Sequence, residues 1–168
     1  DLAIIGGQLP GDLENLLQVI PYATDELALV LPSKHPLSDK KELLKEDLYK
    51  LNFVTLDSQS TTRKVVDKLL KDSGLDIQRL KIEMELNSLE AIKNAVQSGL
   101  GASFLPVVSI ERELAAGTIH KAFIADLEVK RELKLITNPS RYTSRASEVF
   151  KQNILPQFAS FESPLREQ

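Results

Sequence analysis

The stretch Phe53-Val54-Thr55-Leu56-Asp57-Ser58-Gln59-Ser60-Thr61-Thr62-Arg63-Lys64-Val65-Val66-Asp67-Lys68-Leu69-Leu70 changes its hydrophobic period half-way along. Its first four residues form a short run that suits a buried strand. A group of hydroxyl residues follows, well suited to start a helix. Val65, Val66, Leu69 and Leu70 then recur on one helical face. Gly74 provides a natural C-terminal stop.

The same alternation extends outward from this stretch. Ile82, Met84 and Leu86 alternate with Lys81, Glu83 and Glu85, the period of a half-exposed strand. Asn87-Ser88 can cap a second helix, with Leu89, Ile92, Ala95 and Val96 inward and Gly99 and Gly101 ending it. Ala102–Leu105 reads as a short strand. Pro106 fits the first turn of a helix that runs to Gly117. Ile119–Ile124 and Glu132–Thr137 are strand candidates. Ser144–Phe158 is a last amphipathic helix, using Ala146, Val149, Phe150, Ile154 and Phe158, and the tail after Phe161 reads as frayed.

Upstream, Leu2–Ile5 is an apolar run closed by Gly6-Gly7, which suits a strand buried on both faces. Gln8–Thr24 reads as irregular, with a short extended piece at Leu16–Ile20. Leu27–Leu31 is a second buried strand, stopped by Pro32 and Pro36. Lys41–Lys50 has a short helical pattern through Leu43, Leu44 and Leu48. Strands and helices alternating in this way predict an α/β fold with a mainly parallel sheet and helices on both faces.

Composition narrows the function. The 168 residues are 42% hydrophobic and 27% charged, enough to bury a core in one domain or two small lobes. Leu27–Leu31 falls far short of the ~20 apolar residues of a membrane span. No basic region precedes a longer apolar stretch, so no signal peptide is read. The absence of cysteine removes disulfides, thiolate catalysis and Cys-ligated zinc, and fits a reducing cytosol. A net charge of −3 argues against DNA binding by this chain itself. Lys40-Lys41 and Lys130-Arg131 are flanked by acids and read as solvated. A chain that opens on a core strand is expected to be a fragment of something longer.

Catalytic motifs are missing. His35 and His120 each stand alone, so neither a metal site nor a histidine base is expected. There is no GxSxG elbow, no GxxxxGK[ST] loop and no GxGxxG after the first strand, and no cofactor is expected. Glu83 and Glu85 share a strand face, where solvation explains them. What remains is Ser58–Arg63, a turn that follows a strand and opens a helix. Free N–H groups and the dipole draw anions to such an end. Ser58, Ser60, Thr61 and Thr62 add donors, and Arg63 adds a cation able to fork onto a carboxylate or phosphate. Plain capping with an exposed arginine would explain the same residues. Asn87-Ser88 is a second such junction. The two would face one crevice if both lie on one side of the sheet.

These residues also carry a resemblance. Asp1-Leu2-Ala3-Ile4-Ile5-Gly6-Gly7, Asp25-Glu26-Leu27-Ala28-Leu29-Val30-Leu31-Pro32, His35-Pro36-Leu37 and Ser60-Thr61-Thr62-Arg63 resemble the effector-binding domain of LysR-type transcriptional regulators. So does Glu85–Ala102, with its closing Val96-Gln97-Ser98-Gly99-Leu100-Gly101. The fuller form, with Ser140-Arg141-Tyr142 through Phe150, is similar to the RuBisCO-operon regulators of cyanobacteria and plastids.

The resemblance implies a periplasmic-binding-protein-like (type II) α/β fold with two Rossmann-like lobes, the first incomplete here. Residues 1–24 would end the first lobe and hold the hinge, 25–105 form the second, effector-binding lobe, and 106–168 return to complete the first. It places the effector between the lobes, against Ser60, Thr62, Asn87 and Ser88, with Leu89 as an apolar wall and Thr61 and Arg63 as neighbours. Gly6 and Gly7 would lie at the hinge. The implied partners are a small anionic metabolite and a second copy in a homodimer or tetramer. The metabolite is of the phosphorylated-sugar, 2-phosphoglycolate, 2-oxoglutarate or NADPH type. DNA is reached only through an absent N-terminal helix-turn-helix, with no membrane, in the cytoplasm or the plastid stroma. Two rivals share the fold: a solute-binding protein of a transporter, and a prephenate-dehydratase-like lyase.

Overall fold

The computed structural model describes residues 2–7 and 9–159, and the side chains of these up to residue 153. In chain order the elements are β1 (Leu2–Gly6), α1 (Gly11–Glu14), β2 (Gln18–Pro32), β3 (Asn52–Leu56), α2 (Thr61–Asp72) and β4 (Lys81–Leu86). There follow α3 (Leu89–Gln97), β5 (Ser103–Pro106), α4 (Val107–Ala115), β6 (Ile119–Ala122), β7 (Lys130–Thr137) and α5 (Arg145–Ala159). Two compact units result. One is built from Asp1–Thr24 and Arg131–Gln168, the other from Asp25–Lys130.

In the larger unit Leu27, Ala28, Leu29, Val30 and Leu31 of β2 are each at most 4% exposed. Alternation along the strand divides them between two cores. Leu27, Leu29 and Leu31 join Phe53, Phe104 and the α2 residues Val66 and Leu70 on one face. Ala28 and Val30 join Val54, Leu105, the α3 residues Ile92, Ala95 and Val96, and Ile110 of α4 on the other. The rings of Phe53 and Phe104 stack with centroids 6.2 Å apart. Each fully buried Leu or Phe contributes roughly 1.5–3 kcal/mol. This two-sided burial explains why β2 reads as a continuous apolar run.

The pairing is less parallel than the alternation suggests. β2 runs antiparallel to β5 and to β6. β3 and β4 are parallel, and the start of β5 joins β3 in parallel through a Phe53–Ala102 bridge. The larger unit extends to Lys130, past Leu105, because Ile110 of α4 and Ile119 of β6 are buried in the second core.

Several local expectations shift. Gln18–Thr24 is not irregular but the first half of β2, and a four-residue helix precedes it. Lys41–Lys50 is helical only as a 3-10 turn over Lys45–Lys50. Leu43 is instead taken by Phe123 and Ala125, its N–H donating to the Phe123 carbonyl at 2.8 Å and its carbonyl accepting from the Ala125 N–H at 2.8 Å. Pro106 precedes α4 as its cap rather than standing in its first turn. β6 stops at Ala122, where the backbone turns to meet Leu43.

The 3-10 turn depends on a buried carboxylate. Asp47 is 3% exposed. It accepts from Lys50 at 2.7 Å, from Lys40 at 3.2 Å and from the Leu44 N–H at 3.1 Å. The Lys50 bond chiefly holds its pKa down at about 2, against an ordinary 3.8. A depressed folded-state pKa gives stability that is complete above about pH 4 and is lost as pH falls towards 2. Both lysines are well exposed, so the contribution is about 1–2 kcal/mol. Asp47→Asn is expected to lose that amount at pH 7 and to flatten the stability profile between pH 4 and 2. Denaturant titrations at stepped pH would show it; a wild-type acid limb in the variant would refute it.

In the smaller unit β1 lies antiparallel to β7, from Leu2 opposite Thr137 to Gly6 opposite Leu133. Leu135 is 1% exposed, but Ala3 and Ile4 are exposed, so β1 is not buried on both faces. α5 begins at Arg145. The expected inward positions Ile154 and Phe158, and the tail after Phe161, lie outside the described side chains or residues.

Candidate functional site

Parallel pairing sets where the two predicted junctions stand. Leu56, the last residue of β3, lies opposite Leu86, the last of β4, and the Asp57 N–H donates to the Leu86 carbonyl at 3.0 Å. Both strands therefore end at one edge of the sheet, and α2 and α3 both open there. Because β5 also runs parallel to β3, α4 opens at the same edge, behind Pro106. The sequence marks this third helix start at Pro106, but not as part of the candidate site. Its signal is the proline that closes an apolar run and precedes Val107-Val108-Ser109, with Val108 72% exposed.

The turn before α2 is shaped by Asp57 rather than by the hydroxyls. Its carboxylate accepts from the Gln59 N–H at 2.7 Å and its carbonyl from the Ser60 N–H at 2.9 Å. Ser60 holds the cap position of α2 without a side-chain cap bond. Ser58 and Thr61 are exposed, and Ser60 and Thr62 are half-buried. At α3, Ser88 does cap, accepting from the Ala91 N–H at a long 3.5 Å. Asn87 and Ser88 are exposed and Leu89 is half-buried.

Arg63 does not stand exposed. Its side chain is only 14% accessible. Nε donates to both carboxylate oxygens of Asp67, at 2.8 and 2.9 Å. Nη1 reaches Thr55 Oγ1, the Leu56 carbonyl at 3.3 Å and Glu85 Oε1 at 3.4 Å. The guanidinium thus braces the first turn of α2 against β3 and β4. It also gives Glu85 a partner, although Glu85, like Glu83, is exposed.

The opening of α3 carries a second braced cation. Lys93 bonds Glu90 Oε1 at 2.7 Å, Glu113 Oε1 at 2.9 Å and the Ser109 carbonyl at 3.1 Å. The hydrogen bonds that Lys93 donates to Glu90 and Glu113 hold its ammonium above the usual range. Lys93 in turn holds Glu113 below its own.

The larger unit also contains two cavities. One of about 650 Å3 is lined by Leu27, Phe104, Lys121, Phe123 and Glu128, among others, and by none of the predicted site residues. One of about 30 Å3 lies under α2, beside Thr62, Arg63 and Phe104. In the smaller unit Gly6 ends β1, and a Cβ there would meet Leu133 Cδ2 at 2.9 Å. Gly7 follows in a bend. His35 accepts the Leu37 N–H at 3.1 Å in a local turn. No helix among the described residues is long and apolar enough to cross a membrane.

The family model of the LysR substrate binding domain matches residues 1–159. The chain belongs to this LysR family. Among curated LysR relatives, a probable RuBisCO transcriptional regulator of Trichormus variabilis is 59% identical over 160 residues, covering 95% of this chain and 48% of that protein. A probable RuBisCO transcriptional regulator of Synechocystis is 56% identical over 165 residues, covering 98% and 48%. The chain therefore spans about half the length of the curated relatives it matches. Solved LysR-type domains share its fold. The Synechocystis CcmR regulatory domain in complex with 2-PG superposes with a TM-score of 0.81 at 24% identity, over 94% of this chain and 73% of that one. The effector-binding domain of QuiR in complex with shikimate gives 0.79 at 23% identity, over 95% and 72%. Membership in the LysR family sets aside the transporter-type solute-binding protein.

Proposed function

We propose that this chain is the metabolite-sensing part of a LysR-type regulator that controls carbon-fixation genes, RuBisCO genes among them. The observation that supports it most is identity of 56–59% to probable RuBisCO transcriptional regulators over nearly the whole chain. The effector is a small anion, of the 2-phosphoglycolate, phosphorylated-sugar, 2-oxoglutarate or NADPH type. The fold-sharing CcmR domain holds 2-PG, which makes a phosphorylated carboxylate the first to test.

The edge where α2 and α3 open suits such a ligand. N–H groups and dipoles converge there with the hydroxyls of Ser58, Ser60, Thr61, Thr62 and Ser88 and the amide of Asn87. Leu89 gives an apolar wall. Arg63 contributes by fixing α2 in place and lends only residual charge, since Asp67 and Glu85 already pair it. Gly6 and Gly7 serve as the hinge of the response. The regulator acts without catalysis, as a dimer or tetramer in the cytoplasm or plastid stroma. It reaches DNA through a helix-turn-helix outside this chain, whose own charge of −3 disfavours phosphate contacts. Effector binding biases one of two states by its differential affinity for them.

Titration calorimetry of the full-length protein against these anions tests the proposal. Asn87→Ala and Ser60→Ala are each expected to weaken binding about tenfold, the effect of losing one hydrogen bond to a charged group. Unchanged affinity in both variants would remove the assigned site, and failure of every anion to bind would remove the anion class.

A further inference from the structure

Glu90 is an awkward residue for an anion sensor. It stands in the first turn of α3, among the N–H groups assigned to the effector. A free carboxylate there would repel a negatively charged ligand across one helical turn. Glu90 is not free. Its carboxylate is bonded at 2.7 Å to Lys93, one turn further along the helix.

Lys93 is an unusual lysine, with a side chain only 9% exposed. Its ammonium gathers three oxygens from two helices: Glu90 of α3, Glu113 near the end of α4, and the Ser109 carbonyl in the first turn of α4. Glu113 Oε2 is buried without a hydrogen-bond partner among the described residues, so Lys93 is its main compensation. The cluster thus does two things. It tethers the one acid in the first turn of α3 to an ammonium shared with Glu113, and it ties α3 to α4.

We propose that Lys93 is a positioning residue of the effector site: by holding Glu90 back along α3, it keeps the α3 N-terminus open to an anion. This rests on the assignment of the effector to that N-terminus. Lys93 does not touch the ligand. Its influence is electrostatic and runs through Glu90, so neutralising Glu90 makes Lys93 dispensable for binding.

Lys93→Met alone would strand Glu113, so the test removes the buried pair as a unit. The double variant Lys93→Met/Glu113→Met keeps the volume and is checked for folding by thermal melting. Full-length protein is titrated with 2-phosphoglycolate. The double variant removes one ammonium and one carboxylate and leaves the net charge of the cluster unchanged, so the roughly tenfold weaker binding expected of it reports the freed Glu90 carboxylate moving closer to the anion. Adding Glu90→Gln is expected to restore wild-type affinity, which a merely structural role for Lys93 would not do. Unchanged binding in the double variant overturns the proposal, and so does a triple variant as weak as the double. Asn87→Ala serves as the control on the site. If it and Ser60→Ala both leave wild-type affinity intact, the site assignment fails and the role of Lys93 fails with it. If Asn87→Ala weakens binding and the Lys93 series does not behave as stated, only the role of Lys93 is lost.

Discussion

Lys93→Ala is expected to destabilise the larger unit by about 3–5 kcal/mol, the usual cost of removing one partner from a buried ion pair. The cause lies on the α4 side. Glu113 has a side chain only 16% exposed, and one of its oxygens is already without a partner. Loss of the ammonium leaves a whole carboxylate there to be protonated or hydrated. Glu90, 75% exposed, returns to water and adds little. Urea titration gives the measurement. The single variant should fall far below wild type, while Lys93→Met/Glu113→Met stays within about 1 kcal/mol of it. A single variant as stable as wild type would mean that the pair carries no buried charge.

Gly101→Ala is the second large effect, expected to cost about 1–3 kcal/mol by overpacking. A Cβ at Gly101 would lie 2.7 Å from the Asn52 carbonyl oxygen and 3.2 Å from its carbon. The clash is with backbone and cannot be relieved by a rotamer. It falls where the Asn52 carbonyl accepts the Ala102 N–H at 2.8 Å, the bond that starts the pairing of β5 with β3. Gly99, two residues earlier, is glycine for another reason. Its φ of +83° lies in the left-handed region that side chains resist, with nothing near its Cβ direction. Gly99→Ala should therefore cost only the conformational penalty of ~1 kcal/mol. Comparing their denaturation midpoints separates the two causes. Equal losses would show that close approach of Gly101 is not the constraint.

Much of this was visible in the sequence, because the local signals agreed with the fold. The change of period at Leu56 marks β3 and α2, Ser88 caps α3 as a serine there should, and the apolar run of β2 belongs to a strand buried on both faces. The misses share a cause: each depends on a residue far away in sequence. Gln18–Thr24 carries Pro21 and little alternation, and becomes strand as the leading half of β2. Leu43 has a helical neighbourhood, but two backbone bonds to Phe123 and Ala125 hold it out of a helix. Arg63 looks like a free cation at a helix start, and nothing nearby announces that Thr55 and Glu85 will meet it. Lys93 sits four residues after Leu89, on the inward face of α3. That was the one local hint that its charge had to be matched inside. Its main buried partner, Glu113, is twenty residues on, across a strand. The antiparallel strand pairs escaped for the same reason, since alternation gives the order of elements and not their direction.

The division of the chain also orders its synthesis. Residues 25–130 are contiguous, so the larger unit can leave the ribosome with every strand and helix it needs. The smaller unit draws on both ends of the chain, and Leu2 must wait for Thr137 before the β1–β7 ladder can close. Until then the β1–β7 ladder stays open, and Ile4 of β1 is exposed even in the finished fold. Domain-by-domain folding during translation would complete the larger unit first and leave the smaller as the slower step.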